Sequence, residues 1–349
     1  MKVSSRVKKS LSLFAALMLA AALALPTMLA GCTNSSSTTD TTGDTTSTTT
    51  TTPSTDTTNQ AKTPPATYTF TDDLGNSVTV NNPQRVVACM GSFANIWELA
   101  GGTLVGATTD AAQDYTLASP NVQTVGDFSS PDIEQIIALN PDFVIMTGIS
   151  TGQPGTASQV DLRDALVSSN IPVAYFNVTT FDDYLRMLRI CCDITGRDDL
   201  YQQNGSNVEQ QISTIKSEAA TQTTKPTVLL MTTYSGGTVV QNSSTMTGAM
   251  LADLGAVNLA DQNPSLLKDF SIESIISLNP DYILVVPMGN DDAAALKNLE
   301  DATAANPAWS TLSAVKNGHY LTLDKTLFMY KPNNLWSTSY QTLYSTLYG

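Results

Sequence analysis

Two glutamates stand at matching positions of a repeated phrase. IEQIIALNPDFVIM begins at Ile133 and IESIISLNPDYILV begins 139 positions later at Ile272, so Glu134 and Glu273 are the second letter of each. Each glutamate is expected in the first turn of a short helix, pointing away from its apolar face. A carboxylate there stabilises the helix by about 0.3–1 kcal/mol. It could equally be one of two matched docking points for a basic partner, and the pattern favours neither reading.

The other letters of the phrase are explained by folding alone. Asp132 and Ser271 precede the two Ile-Glu pairs and are good helix N-caps. An Asn-Pro pair then ends each helix, because proline cannot continue it and disfavours helical geometry in the preceding residue. The aspartate that follows leads into a strand. These features predict the same helix-strand unit twice, in a duplicated lobe.

Residue types that support catalysis or metal binding are sparse. His319 is the only histidine, so a zinc site built on several histidines is not expected, and the prediction for metal ligands is none. The chain lacks the phosphate-loop, nucleophile-elbow and HExxH motifs. We therefore predict that the protein is not an enzyme. An exported hydrolase that uses paired carboxylates remains the alternative from another class, since acidic residues are plentiful.

The amino terminus predicts export. Residues 1–31 combine four basic residues with an apolar run, which is typical of a signal peptide, although the run approaches the length of a membrane-spanning helix. Leu29-Ala30-Gly31-Cys32 resembles a bacterial lipobox, in which the cysteine thiol carries a palmitate-type lipid. Residues 32–66 are rich in Thr and Ser and are expected to form a disordered tether. Together these features predict a domain anchored by lipid to the outer side of the cell membrane.

The charge content limits the classes of molecule that could be a partner. The chain has 17 Lys+Arg against 31 Asp+Glu. Nucleic acid is excluded as a partner because phosphate binding requires clustered positive charge.

Three cysteines follow Cys32, and we favour buried free thiols for Cys89, Cys191 and Cys192. A disulfide from Cys89 to one of the vicinal pair is the alternative.

Strand-like and helix-like segments alternate in two series, which predicts parallel α/β sheets with helices on their faces. A β-hairpin around Asp73–Asn76 opens the domain. The expected division is an N-terminal lobe over 67–197, a connecting helix over 198–222 and a C-terminal lobe over 223–349. Gly196 should end the preceding helix, and the connecting helix could run about 34 Å. Its weak point is Asn204-Gly205.

Taken together, these segments are similar to the solute-binding proteins of ABC importers for ferric siderophores, haem and cobalamin. The resemblance covers roughly Tyr68 to the C-terminus and rests on the lipobox, the opening TFTDDLGNSVTV, the repeated phrase, the long helix and the ending WSTLSAVKNGHYLTLD. It implies two Rossmann-like lobes joined by one long helix, the class III architecture. It also implies a monomer whose Glu134 and Glu273 meet arginines of the membrane permease.

In open α/β sheets, ligands bind beyond the carboxyl ends of the strands. Applied to both lobes, this rule predicts ligand contacts at Met90, Ser92, Phe93, Asp110, Thr147, Asn177, Tyr234 and Met288, and Tyr330 is a further aromatic candidate. The five arginines after the leader all precede the second lobe, so a highly anionic catecholate complex is disfavoured. A neutral or weakly charged ferric chelate, a haem held through tyrosine or a cobalamin fits better. No covalently bound cofactor is expected apart from the lipid.

Overall fold

The computed structural model describes residues 62–149, 158–289 and 291–349. The predicted signal peptide, the lipobox and most of the tether lie outside these residues. Within the described part, no helix is long and apolar enough to cross a membrane.

The described residues form two five-stranded sheets and two small antiparallel pairs. The strands are β1 (Tyr68–Thr71), β2 (Ser77–Val80), β3 (Val86–Ala88), β4 (Leu104–Ala107), β5 (Gln123–Thr124), β6 (Gly126–Asp127), β7 (Ser130–Pro131), β8 (Phe143–Thr147), β9 (Val173–Phe176), β10 (Thr227–Tyr234), β11 (Gly237–Gln241), β12 (Val257–Asn258), β13 (Tyr282–Pro287) and β14 (Tyr320–Thr322).

Helices cover the faces of both sheets. They are α1 (Gly91–Leu99), α2 (Thr109–Asp114), α3 (Ile133–Ala138), α4 (Arg163–Ser168), α5 (Phe181–Thr195), α6 (Asp198–Tyr201), α7 (Asn207–Ala220), α8 (Met246–Asp253), α9 (Leu259–Gln262), α10 (Ile272–Leu278), α11 (Asp292–Ala304), α12 (Ser313–Lys316), α13 (Lys325–Phe328) and α14 (Trp336–Tyr348).

The first sheet is wholly parallel, with the order β5-β4-β3-β8-β9. The second has the order β11-β10-β13-β14, with β12 beside the start of β10, and only β11 runs antiparallel. Strands β8 and β9 are buried along their whole length, as expected for a parallel sheet covered on both faces. The predicted α/β class with two lobes is confirmed, whereas β11 and the short strands β5 to β7 were not predicted.

The repeated phrase forms the same unit in each lobe. Asp132 and Ser271 cap α3 and α10 through their side chains, as predicted. An asparagine with a left-handed backbone stands just after each helix, with φ of 45° at Asn140 and 43° at Asn279. Each helix therefore stops and the chain turns directly into the next strand.

The aspartate of each phrase holds that strand to the first strand of its lobe. Asp142 accepts from the backbone N–H groups of Gln84 and Arg85, both at 2.8 Å. Asp281 accepts from the N–H of Thr227 at 2.8 Å. These contacts set the register of β8 on β3 and of β13 on β10. From the sequence, Asp142 and Asp281 were expected only to lead into their strands.

The lobes are joined by a continuous helical stretch. Gly196, with φ of 71°, ends α5, as predicted. The stretch then runs through α6, a π-helical turn at Gln202–Ser206 and α7. The turn coincides with the predicted weak point. Its Asn204 is buried and donates to the Leu99 carbonyl at 2.9 Å.

Packing fixes α7 at the far end of this stretch. Its buried face is Val208, Ile212, Ile215 and Ala219, at the three- and four-residue spacing of a helix. These side chains belong to a core cluster that also takes Ala88 and Phe143 from the first sheet and Leu230 and Leu284 from the second. One apolar core thus extends through both lobes. Cys89, Cys191 and Cys192 are buried free thiols, as predicted.

Candidate ligand-binding cleft

A cavity of about 530 Å³ lies at the carboxyl ends of strands from both sheets. Met90 follows β3, Thr109 follows β4, and Met288 follows β13. The first-lobe wall is formed by Met90, Ser92, Thr109, Asp110, Gln113, Asp114, Tyr115, Asp127, Phe128 and Ser129. The second-lobe wall is formed by Met288, Gly289, Met329, Tyr330 and Lys331. A wider groove of about 820 Å³ lies between α7 and α14, remote from the strand ends.

The tight packing of α1 against α2 shapes the first-lobe wall. A Cβ at Gly91 would lie 2.8 Å from the backbone nitrogen of Ala111, so only glycine fits where the two helices begin. The Gly91 N–H donates to Oδ2 of Asp110 at 2.6 Å. Oδ1 of Asp110 and Oγ of Ser92 are buried and have no hydrogen-bond partner in the described part of the chain. Both groups retain capacity for a ligand.

Ionisable groups of the two walls face each other near Tyr330. Burial, with a contribution from the Asp110 charge, raises the pKa of Asp114, while the Tyr330 hydroxyl and Lys325 partly offset the rise. Lys325 donates to Oδ1 of Asp292 at 2.8 Å and to the Gly289 carbonyl at 3.1 Å. Its ammonium lies 5.9 Å from the centre of the Tyr330 ring. Lys325 is thus already committed to partners of its own lobe.

Lys331 has no such partner. It lines the cavity and forms no ion pair with any described residue, and burial lowers the pKa of its ammonium. Its backbone carbonyl accepts from the Tyr115 hydroxyl at 3.0 Å, which joins the two walls. The backbone of Lys331 is therefore fixed, while the described residues supply no counter-ion for the charged end of its side chain.

Apolar surface lies between these polar groups. Met90, Met288 and Met329 contribute flexible thioether side chains, and Phe128 is 40 % exposed at the cavity. Methionine adapts to irregular shapes, and an exposed aromatic ring is available for stacking. The cavity thus combines apolar surface with placed polar groups, as small-molecule sites do. The described residues hold no cluster of His, Cys, Asp or Glu suited to a metal ion.

Five of the predicted ligand contacts line the cavity: Met90, Ser92, Asp110, Met288 and Tyr330. The predicted contact Phe93 does not line this cavity, because its side chain is fully buried and packs edge-on against Phe176, with ring centres 6.3 Å apart. Phe93 follows β3 closely, but the first turn of α1 directs it into the core.

Thr147, Asn177 and Tyr234 also lie away from this cavity. Thr147 is buried, and its hydroxyl accepts from the N–H of Ile149. The N–H of Asn177 donates to Asp73, in the turn of the first hairpin. Tyr234 enters the unpredicted β10–β11 hairpin, which carries the chain back along the sheet edge. These three are strand-end residues whose neighbours are protein groups of their own lobe.

The sequence did not single out Asp114, Tyr115, Asp127 or Lys331. The strand-end rule marks the residues directly after a strand, whereas Asp114 and Tyr115 stand one and a half turns further along, at the end of α2. Lys331 directly follows the predicted Tyr330. Its charge in the apolar run LFMYKP was the one available signal.

Glu134 and Glu273 are exposed in the first turns of α3 and α10. Helices that precede a parallel strand begin at the carboxyl edge of the sheet, so each glutamate lies on the cleft side of its lobe. Neither carboxylate forms an ion pair with a described residue. Their role in docking stays a prediction.

Comparison with known proteins identifies the family. The family model described as periplasmic binding protein matches residues 86–327, more than half of the chain. The chain belongs to the periplasmic binding protein family. It is accordingly a solute-binding protein rather than an enzyme, and it works outside the cytoplasm.

Relatives of this periplasmic binding protein share low sequence identity with it, but the matches cover most of its length. It is 23% identical to the iron(3+)-hydroxamate-binding protein FhuD of Bacillus subtilis over 275 residues, 74% of this chain and 79% of the relative. It is 22% identical to the vitamin B12-binding protein of Photorhabdus laumondii, over 62% of this chain and 75% of the relative. The solved structure of S. aureus IsdE with heme superimposes with a TM-score of 0.60 at 18% identity, covering 76% of this chain and 98% of IsdE. This structural likeness supports the fold.

Proposed function

We propose that the protein captures an iron-siderophore-type chelate in the cleft between its lobes and delivers it to an ABC permease. The observation that carries the proposal is the cavity of about 530 Å³ that both lobes line at their strand ends. Its volume suits a chelate of several hundred daltons. Relatives named as binding iron(3+) hydroxamate, Fe(3+) citrate and petrobactin support this class of ligand.

A haem or a cobalamin is the second candidate ligand. Tyr330 lines the cavity and offers a phenolic oxygen, which is a known type of haem ligand. A relative named as a vitamin B12-binding protein supports the cobalamin alternative. Both ligands belong to the same transport function, so the distinction concerns specificity.

Membrane attachment and docking complete the proposal. Cys32 carries the lipid that holds the protein at the membrane, in keeping with a relative named as a putative substrate-binding lipoprotein. Glu134 and Glu273 contact basic residues of the permease, one from each lobe. Replacement of Cys32 with serine should release the protein into the soluble fraction, and continued retention would argue against the anchor.

A ligand screen tests the proposal directly. The purified protein is titrated with ferric hydroxamates, ferric citrate, a ferric catecholate, haem and cobalamin, and binding is followed by quenching of intrinsic fluorescence and by thermal unfolding. A ligand at about 100 times its dissociation constant should stabilise the fold by about 2.7 kcal/mol. If no metal-organic ligand changes either signal, the proposed function is wrong.

A further inference from the structure

Charge is divided between the two walls of the cleft. Asp110, Asp114 and Asp127 belong to the first-lobe wall, and Lys331 belongs to the second. Asp127 accepts from the Thr109 hydroxyl at 2.5 Å. Asp114 faces Tyr330, as described above. Two of these charged groups have no ion pair or hydrogen-bond partner among the described residues, namely Oδ1 of Asp110 and the ammonium of Lys331.

Among the described residues that line the cavity, Lys331 is the one cationic side chain. Lys331 is half-buried at the cavity, and partial removal of an ammonium from water without a counter-ion costs free energy, in keeping with the lowered pKa of Lys331. Methionine, used at three neighbouring positions of the cavity, would fill the same space without it. An anionic group that arrives with the ligand would supply the missing partner.

Asp110 requires a hydrogen-bond donor or a cation from the ligand, whereas Lys331 requires an anion. One oxygen is occupied by the Gly91 N–H, and the other is buried without a partner among the described residues. A carboxylate can only accept hydrogen bonds, and its strongest partners are cationic donors. The nearby Ser92 hydroxyl, also without a partner there, can turn to accept or donate.

We propose that the ligand is dipolar: a metal chelate whose periphery carries a carboxylate that pairs with Lys331 and an ammonium or N–H donor that Asp110 accepts. The three methionines and Phe128 then cover the apolar body of the chelate between these two points. This inference rests on the proposed function and deepens it, since it names the charge pattern of the substrate. It also sets the orientation of the ligand, with its carboxylate towards the second lobe.

Four ferric tris-hydroxamates with one metal core test the inference. They differ only in a pendant group, which carries an ammonium and a carboxylate, an ammonium alone, a carboxylate alone or neither. Dissociation constants are measured for the unaltered protein and for Lys331→Met, Lys331→Arg and Asp110→Asn. Lys297→Met is the control, because Lys297 is exposed and paired with Asp301 on α11.

The dipolar chelate should bind most tightly. Lys331→Met should weaken only the two chelates with a carboxylate, by about 10- to 100-fold, as expected for a desolvated charge pair. Lys331→Arg should retain most of the affinity, and Asp110→Asn should weaken only the two chelates with an ammonium. The control should leave all four dissociation constants unchanged.

Other outcomes separate this inference from the proposed function. Equal binding of all four chelates, or equal losses on all four in the variants, would overturn the dipolar ligand and leave chelate capture standing. Binding of haem or cobalamin in place of the four chelates would overturn the dipolar ligand and would favour the second candidate ligand of the proposed function over a siderophore-type chelate. A protein that binds no metal-organic ligand at all would overturn both.

Discussion

Asn333, in the second lobe, donates from Nδ2 to the backbone oxygen of Ser92 at 3.0 Å and to Oδ1 of Asn95 at 2.8 Å, both in α1 of the first lobe. The Tyr115 hydroxyl, in the first lobe, donates a third hydrogen bond to the backbone carbonyl of Lys331 in the second lobe. The segment after α13 is therefore fastened to both walls of the cleft. A movement that opens the lobes must break these three hydrogen bonds.

Asn333→Gly should loosen this connection. Glycine tolerates the left-handed backbone of Asn333, with φ of 51°, so the substitution removes the amide without adding strain. Loss of two hydrogen bonds at about 0.5–1.5 kcal/mol each should favour an open form. We expect a larger radius of gyration in solution scattering and weaker ligand binding. Asn334→Ala is the control, and unchanged scattering and affinity in Asn333→Gly would contradict the role of this contact.

The double substitution Glu134→Ala with Glu273→Ala should abolish uptake by cells and leave the ligand affinity of the purified protein intact. Both carboxylates are exposed and lie outside the cavity, so their loss should cost at most about 1 kcal/mol per helix. Glu209→Ala with Glu300→Ala is the matched control, since these glutamates are also exposed. A parallel loss of ligand affinity would show that the pair is not a docking device.

Lys331→Met should stabilise the protein without ligand. Burial lowers the pKa of Lys331 in the folded state, so at pH 7 its charge disfavours folding relative to the unfolded chain. This penalty is fully present below the folded-state pKa and disappears as the pH rises through that pKa towards the unfolded value of about 10.4. Urea unfolding at pH 7 should show a higher midpoint for the variant, with the difference reduced at pH 10.5. A less stable variant at pH 7 would argue for an undetected partner of the ammonium.

Asp72→Ala should destabilise the first lobe by about 2–4 kcal/mol. The buried Asp72 carboxylate accepts from the N–H groups of Leu74, Asn76 and Tyr175, and so joins the hairpin to β9. Removing it leaves the buried N–H of Tyr175 unpaired and takes the acceptor from the N–H groups of Leu74 and Asn76. Chemical denaturation monitored by circular dichroism measures the loss. Asp269→Ala, at an exposed site, should be nearly neutral, and equal stability of the two variants would contradict the assignment.

The three thiols of the domain should resist modification in the folded protein. Burial raises the pKa of Cys89 and Cys191 well above the ordinary value and raises that of Cys192 to about 12. Since the thiolate is the reactive form, a thiol reagent should label none of them under native conditions. In a Cys32→Ser chain, denaturation should release three reactive thiols. Release of one would indicate the disulfide that the sequence left open.

The sequence predicted the elements of the fold well because short-range chemistry decides them. Gly196 ended α5, Asp132 and Ser271 capped their helices, and alternation of strands with helices gave both sheets. The ligand cavity was harder to predict. Met90 and Asp110 follow strands and were found by that rule, but the inward turn of Phe93 depends on how α1 packs against Phe176. The position of Lys331 at the cavity could not be predicted, because it depends on a hydrogen bond from Tyr115, more than 200 residues earlier in the chain.

The π-helical turn at Gln202–Ser206 sets how far α7 is rotated about the axis of the helical stretch that joins the lobes. One residue of an α-helix contributes about 100° of rotation and 1.5 Å of rise, and a π turn accommodates one residue more than a regular turn. Asn204 holds this turn to Leu99, so the extra residue is absorbed before α7 begins. Deleting one residue here would turn the buried face of α7 away from α14, and the second lobe would swing about the helix axis. A single added residue thus determines how the two walls of the cleft face each other.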